Sequence, residues 1–140
     1  MQVAQALLAG EVYVLRDRRA DQVEVYDSST YTLQRRLTLP PLADMIDIAA
    51  CSYYNCIYVA FSHNRCVYRL GRQHNIVWWG VEDLPTGISV THFRTVLVTC
   101  CKVNRLKEFN TSGDLMRVVL LSEDLASPYH AILLSSGDFV

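Results

Sequence analysis

The sequence repeats itself, and this repetition constrains the fold more than any other feature. Three apolar triplets of one kind recur along the chain: Val12-Tyr13-Val14, Ile57-Tyr58-Val59 and Val96-Leu97-Val98. Their central residues are separated by 45 and 39 positions. A period of this length is typical of repeat architectures, in which each unit buries its apolar face against the next one.

Each repeat predicts four short strands in an antiparallel meander. After each triplet, a polar turn leads to a second apolar alternation, which predicts a hairpin with one buried face. A third strand follows, and the chain then breaks at Pro40, Pro85 or Pro128, where a missing backbone N–H is tolerated. The predicted strands are 12–15, 23–26, 33–38, 45–50, 56–61, 66–70, 76–80, 87–91, 96–100, 105–109, 115–121 and 130–134, with an opening strand between Val3 and Leu8.

The amino-acid composition also favours strands. Branched and aromatic residues are abundant, whereas the chain has only two lysines and five glutamates. Branched and aromatic side chains suit a pleated sheet, while long unbranched side chains favour helices. A hydrophobic fraction of 51% with 19% charged residues is enough for a sizeable core, which excludes a disordered chain.

The third repeat resembles an NHL repeat. The resemblance lies in Leu84-Pro85-Thr86-Gly87-Ile88-Ser89-Val90, Val96-Leu97-Val98-Thr99, Asn104-Arg105-Leu106, Phe109 and Ser112-Gly113. The second repeat matches through Ile57-Tyr58-Val59-Ala60 and Asn64-Arg65, but Phe61 and Cys100 replace the aspartate frequent in that family. The resemblance covers roughly residues 11 to 140 and implies a β-propeller, as in tripartite-motif NHL proteins.

We therefore predict an all-β fold made of NHL-like propeller blades, each with four antiparallel strands. The chain is expected to be one partial propeller domain, with units at roughly 1–40, 41–84, 85–126 and 127–140. These units make about three to four blades, with the first of them partial, whereas closed rings need about four to eight. We expect a fragment of a longer propeller, or self-association through open blade edges.

Basic and polar residues recur in the loops that follow the second strands. In a meander these loops lie at the same end as the loops between units, which carry Asp44, Glu82-Asp83 and Glu123-Asp124. A loop side chain can meet a ligand, whereas a mid-strand side chain is committed to packing. The alternative role for the Asn-Arg pairs is structural, with the arginine bracing a neighbouring blade. The predicted partner-binding residues are Arg18, Arg19, His63, Asn64, Arg65, Lys102 and Asn104.

These features favour a non-catalytic module that binds a protein and needs no cofactor. The resemblance implies substrate recognition within a larger protein, such as a tripartite-motif ubiquitin ligase. RNA binding is one alternative, although a net charge of −1 and mixed loop charges favour a protein over a polyanion. A second alternative is a lactonase-type hydrolase whose boundary carboxylates converge on a metal ion.

No catalytic or metal-binding motif is visible in the sequence. The four histidines are widely spaced, and no G-x-S-x-G segment is present. No apolar run is long enough for a membrane span, and the N-terminus lacks the basic region of a signal peptide. The five cysteines, an odd number without a C-x-x-C pair, favour a reducing compartment. We therefore expect a cytoplasmic protein with buried free cysteines, or with a bridge between Cys51 and Cys56.

Two pairs of adjacent aromatic residues stand out, Tyr53-Tyr54 and Trp78-Trp79. Adjacent side chains of a strand point to opposite faces of the sheet. We therefore expect one member of each pair to be buried between blades.

Overall fold

The computed structural model describes residues 4–15, 22–39, 44–71, 75–125 and 128–140. Within these ranges the chain forms twelve β-strands and one short 3-10 helix, Cys101–Val103. The strands are β1 (Ala4–Leu8), β2 (Glu11–Leu15), β3 (Gln22–Asp27), β4 (Leu33–Thr38), β5 (Met45–Cys51), β6 (Cys56–Phe61), β7 (Cys66–Gly71), β8 (Ile76–Gly80), β9 (Gly87–Val90), β10 (Val96–Cys100), β11 (Arg105–Phe109) and β12 (Leu115–Leu120).

The strands form three four-stranded antiparallel sheets, β1 to β4, β5 to β8 and β9 to β12. In each sheet, strands that follow one another in the sequence are hydrogen-bonded neighbours. The first strands of adjacent sheets pack against each other, β1 against β5 and β5 against β9. The last strands lie outermost, and β4 and β12 are almost entirely exposed. This is the arrangement of propeller blades, so the predicted all-β propeller is confirmed as an incomplete ring.

One apolar core lies between the first and second sheets and another between the second and third, and β6 contributes to both. Val59 and Phe61 face the core shared with the first sheet, whereas Tyr58 and Ala60 face the core shared with the third. This alternation follows from the two-residue period of a strand. Both β6 and β10 are buried along their whole length. The prediction of one buried face per hairpin was therefore wrong for these strands, because a sheet within the array is covered on both sides.

Most of the predicted strands are confirmed to within one or two residues. The opening strand is β1, so the first sheet has four strands where a partial unit was expected. The predicted strand 130–134 is absent. Ile132 and Val140 exchange backbone hydrogen bonds of 2.8 and 2.9 Å, and Leu133 forms an isolated bridge with Phe139. This narrow hairpin has too few paired residues to form a regular sheet.

The adjacent aromatic pairs behave differently from one another. Trp79 is buried between the second and third sheets, with its ring 5.9 Å from that of Phe109, while Trp78 is exposed and stacks on Tyr68. The expectation is therefore confirmed for the tryptophans. It was wrong for Tyr53 and Tyr54, which are both exposed because they lie in the turn between β5 and β6.

All five cysteines are free thiols. Cys51, Cys56, Cys66 and Cys100 are buried in strands, as expected, and Cys101 is partly exposed. None of the described segments forms a helix with the length and apolar character needed to cross a membrane.

Candidate interaction surface

The loops after the second strands meet the loops between sheets at one end of the array. Ser62 donates a backbone hydrogen bond to Asp44 O at 2.9 Å, and Val81 donates one to Arg65 O at 2.7 Å. Leu121 donates in the same way to Asn104 O at 2.8 Å. We call this end the loop face, comprising residues 44, 62–65, 81–86, 101–104 and 121–125. It carries the two predicted partner-binding loops that lie within the described residues, together with the boundary carboxylates.

The second sheet contributes His63, Asn64 and Arg65 to the loop face, and all three are exposed. Arg65 adopts a left-handed backbone conformation with φ of 51°. Its Nη1 donates to Glu82 O at 3.1 Å. This bond ties the loop after β6 to the loop after β8, so the arginine has a bracing role although its side chain is exposed.

The third sheet contributes Lys102 and Asn104. Lys102 is exposed within the 3-10 helix, and Asn104 is the left-handed residue that ends this helix, with φ of 48°. Arg65 O accepts a backbone hydrogen bond from Val81, and Asn104 O accepts the corresponding bond from Leu121. Asn104 is therefore the structural equivalent of Arg65. The two Asn-Arg pairs are therefore offset by one residue, and Arg105 already belongs to β11. Arg18 and Arg19 lie outside the described residues.

The boundary carboxylate Asp83 forms an ion pair with a buried lysine. Lys107 Nζ lies 2.9 Å from Asp83 Oδ2 and donates to Val81 O at 2.6 Å. Arg105 approaches the same carboxylate at 3.9 Å. Burial raises the pKa of the nearby Cys100 thiol to about 12, and the negative charge of Asp83 adds to this rise. Asp83 therefore links the second boundary loop to the third sheet.

Lys107 and its neighbour Glu108 were not among the predicted site residues, because both lie in a segment that has the pattern of an ordinary alternating strand. Both are buried, since β11 is covered on both faces. Glu108 pairs with Arg117 and accepts a hydrogen bond of 2.6 Å from Thr95 Oγ1. The sequence does contain a signal for these residues, since two opposite charges stand side by side in a strand inside the sheet. Buried charges need partners, so this pattern indicates ion pairs with neighbouring segments.

A second polar cluster lies beside the first strands. The carboxylate of Asp47 on β5 accepts hydrogen bonds from the Ile88 N–H and from Nδ1 of His130, both at 2.9 Å. The bond with Asp47 raises the pKa of His130 above its usual range. Nearby, Ser89 Oγ donates to Ala131 O at 2.7 Å. The segment after the third sheet is thus fastened along β9.

Close packing at this junction requires a glycine. A Cβ atom at Gly87 would lie 2.4 Å from Tyr129 O, well inside contact distance. In the described ranges, no three histidine, cysteine or acidic side chains converge as metal ligands would.

No protein-family model matches the sequence, and a search of the curated proteins finds no match. Solved structures do match. The chain is similar to a streptogramin B lyase with a TM-score of 0.80 and 14% identity, over 97% of this chain and 46% of that one. It is similar to a chain of the mitotic checkpoint complex with a TM-score of 0.75 and 11% identity, over 97% and 45% respectively. It is similar to a chain of a nidogen/laminin complex with a TM-score of 0.75 and 12% identity, over 88% of this chain and 47% of that one.

These similarities concern the fold alone, because the identities are low. The lyase and the nidogen/laminin chain are β-propeller proteins, which supports the propeller fold without selecting the NHL type. The chain spans a little under half the length of each of these three structures.

Proposed function

We propose that this domain is a non-catalytic propeller module of the NHL kind that binds a protein through the loop face. The observation that carries the proposal is the joint display of exposed His63, Arg65 and Lys102 from two adjacent sheets at one end. Backbone hydrogen bonds to the boundary loops hold the loops that carry them. A surface fixed before binding loses less conformational entropy when a partner docks.

The charges of the loop face favour a protein partner. Exposed Glu82, Glu123 and Asp124 lie among the basic side chains, so the surface has both signs of charge. A partner with its own alternating charges complements such a surface, whereas a polyanion meets repulsion from the carboxylates. Two of the similar structures are of protein complexes, which is the setting we propose for this domain.

The proposed context is a larger, cytoplasmic multidomain protein of the tripartite-motif kind. In it the propeller would recognise the substrate protein. The chain spans a little under half of the lyase chain and of the nidogen/laminin chain described above, and this supports placing it within a longer array.

Site-specific photo-cross-linking tests the proposal. A cross-linking amino acid at His63 or Lys102 should capture one discrete protein, whereas the same group at exposed Ser29, at the opposite end, should not. The double variant R18A/R65A should weaken binding of that protein by about 1–3 kcal/mol while keeping a cooperative unfolding transition. If the double variant loses cooperative unfolding and an E123Q control binds normally, the arginines are structural braces and the assignment of the loop face fails.

One measurement distinguishes the alternative function, a metal-dependent hydrolase, from the proposed protein-binding function. Tight calcium or zinc binding that is lost in an E82A variant would favour the metal-dependent enzyme. We expect no such binding, because Asp83, the nearest boundary carboxylate, is already paired with Lys107.

A further inference from the structure

A patch of exposed aromatic and basic residues lies at the end opposite the loop face. It is formed by the turn between β5 and β6, residues 52–55, and the turn between β9 and β10, residues 91–95. Cys51 pairs with Cys56 beside the first turn, whereas Met45 pairs with Phe61 at the loop-face end of the same two strands. We call this the turn patch, comprising Tyr53, Tyr54, His92, Phe93 and Arg94.

The aromatic side chains of the turn patch are unusually exposed. Tyr53 is 63% exposed, Tyr54 50% and Phe93 66%. Large apolar side chains grouped on a surface mark interaction sites, whereas single exposed ones are common. The two turns are joined, because the Cζ atom of Arg94 lies 3.4 Å from the centre of the Tyr53 ring. The patch is therefore one continuous surface across two sheets.

A buried polar network holds the second turn in place. Thr91 and Thr95, which flank the turn, are buried and share a backbone hydrogen bond of 2.9 Å and a hydroxyl contact of 2.5 Å. Thr95 Oγ1 donates to buried Glu108, which is itself paired with Arg117. Phe93 is thus exposed on a fixed support, so a partner would not have to order the turn.

The charge of the turn patch is positive. The patch contains no carboxylate, and among the described residues neither Arg94 nor His92 forms an ion pair. A guanidinium stacked on an aromatic ring keeps its N–H edge for an acceptor. A carboxylate is the acceptor that matches this edge with two parallel hydrogen bonds.

We propose that the turn patch binds an extended segment of another protein in which an acidic residue adjoins a large apolar residue. The carboxylate contacts Arg94, and the apolar side chain packs on Tyr54 and Phe93. A nucleic acid fits less well, because phosphate recognition draws on several cations and the described patch supplies one arginine and one histidine. The site is separate from the loop face and does not rest on its function.

Selection of short random peptides displayed on phage, with the full chain as bait, tests the proposal. Selected peptides should be enriched in aspartate or glutamate beside an aromatic or large aliphatic residue. A synthetic consensus peptide should bind R94Q and F93S about tenfold more weakly than the wild type, as measured by fluorescence anisotropy. Replacing its acidic residue with the matching amide should weaken binding to the wild type but not to R94Q.

Matched controls separate this site from other surfaces. W78S removes an exposed tryptophan outside the patch, and K102Q removes a loop-face cation, so both should bind the peptide like the wild type. If R94Q unfolds, R94K tests the same contact by keeping the charge and losing the forked geometry. Failure to enrich acidic peptides, or equal binding by R94Q, overturns the proposal. Binding of single-stranded RNA that is lost in R94Q would assign the patch to nucleic acid instead.

Discussion

The Nζ atom of Lys107 lies 2.9 Å from the Oδ2 atom of Asp83, although Lys107 belongs to the third sheet and Asp83 to the loop that precedes it. Lys107 is only 4% exposed, so its ammonium group has lost nearly all contact with water. The carboxylate of Asp83 and the carbonyl of Val81 replace that water. The lysine is therefore a structural residue despite its charge.

Neutralising Asp83 should destabilise the protein more than neutralising Lys107. D83N leaves a buried ammonium without its counter-ion, and we expect a loss of about 3 kcal/mol in the free energy of unfolding. K107M removes the charge and keeps most of the volume, so its loss should be smaller. Urea denaturation measures both, with E82Q as the exposed control. Equal unfolding midpoints for D83N and E82Q would contradict this account.

The pair formed by His130 and Asp47 should make stability depend on pH. The folded pKa of His130 lies above the ordinary value of 6.5. Its contribution is therefore fully present below that value and is lost as the pH rises through the folded pKa. H130Q should cost more stability at about pH 5.5 than at about pH 8.5. The difference should not exceed about 0.5 kcal/mol, because His130 is half exposed.

Thermal unfolding at the two pH values, with exposed His63→Gln as the control, measures this difference. A larger loss for H130Q at the higher pH would mean that the imidazole acts as a neutral hydrogen-bond partner.

The thiols should divide into a reactive one and protected ones. Burial raises the pKa of Cys66 to about 11 and that of Cys100 to about 12, so neither forms appreciable thiolate near neutral pH. Cys101 is partly exposed and should be labelled first by a thiol reagent in the native state. C101S should abolish the fast labelling phase, and the other thiols should react only on unfolding. Fast labelling that survives in C101S would show that a buried cysteine becomes accessible.

The side of the first sheet that faces away from the core should promote self-association. Leu7 pairs with Val12, Val12 with Tyr26 and Tyr26 with Leu33, which forms an apolar row on the side facing away from the core. Leu7 is 65% exposed. We expect concentration-dependent association in sedimentation, reduced by L7K and unchanged by L120K, which alters an exposed leucine on an outermost strand. A chain that stays monomeric at high concentration would rule this out.

Much of the fold could be predicted because it depends on local patterns. The repeated apolar triplets and the prolines between units determined the strand positions, and the alternation of turns placed the loops of His63 and Lys102 at one end. Strand 130–134 was the exception, because a strand also depends on a pairing partner. Here the segment 138–140 alone offers one among the described residues.

The candidate site was less predictable, because it depends on contacts between sheets. The ion pair of Asp83 with Lys107 joins residues whose proximity follows only from the packing of two blades. The one-residue offset between the two Asn-Arg pairs arises from local backbone geometry, because the left-handed residue that ends the loop is Arg65 in the second sheet and Asn104 in the third. Tyr53 was noted as part of an adjacent aromatic pair, but the exposure of both members was not predicted, and Phe93 lay in a turn that was treated only as a connection.

The two adjacent tryptophans are fluorescent probes of different environments, Trp78 of the surface and Trp79 of the core between the second and third sheets. Trp78 is exposed to water, whereas the ring of Trp79 fills the space above Gly113, where an added Cβ atom would lie 2.6 Å from it. Acrylamide should therefore quench the fluorescence of Trp78 first. In a W78F variant, the remaining emission comes from Trp79 and shifts to longer wavelength when the second and third sheets separate. Opening of this junction then becomes visible in real time through the emission of one residue.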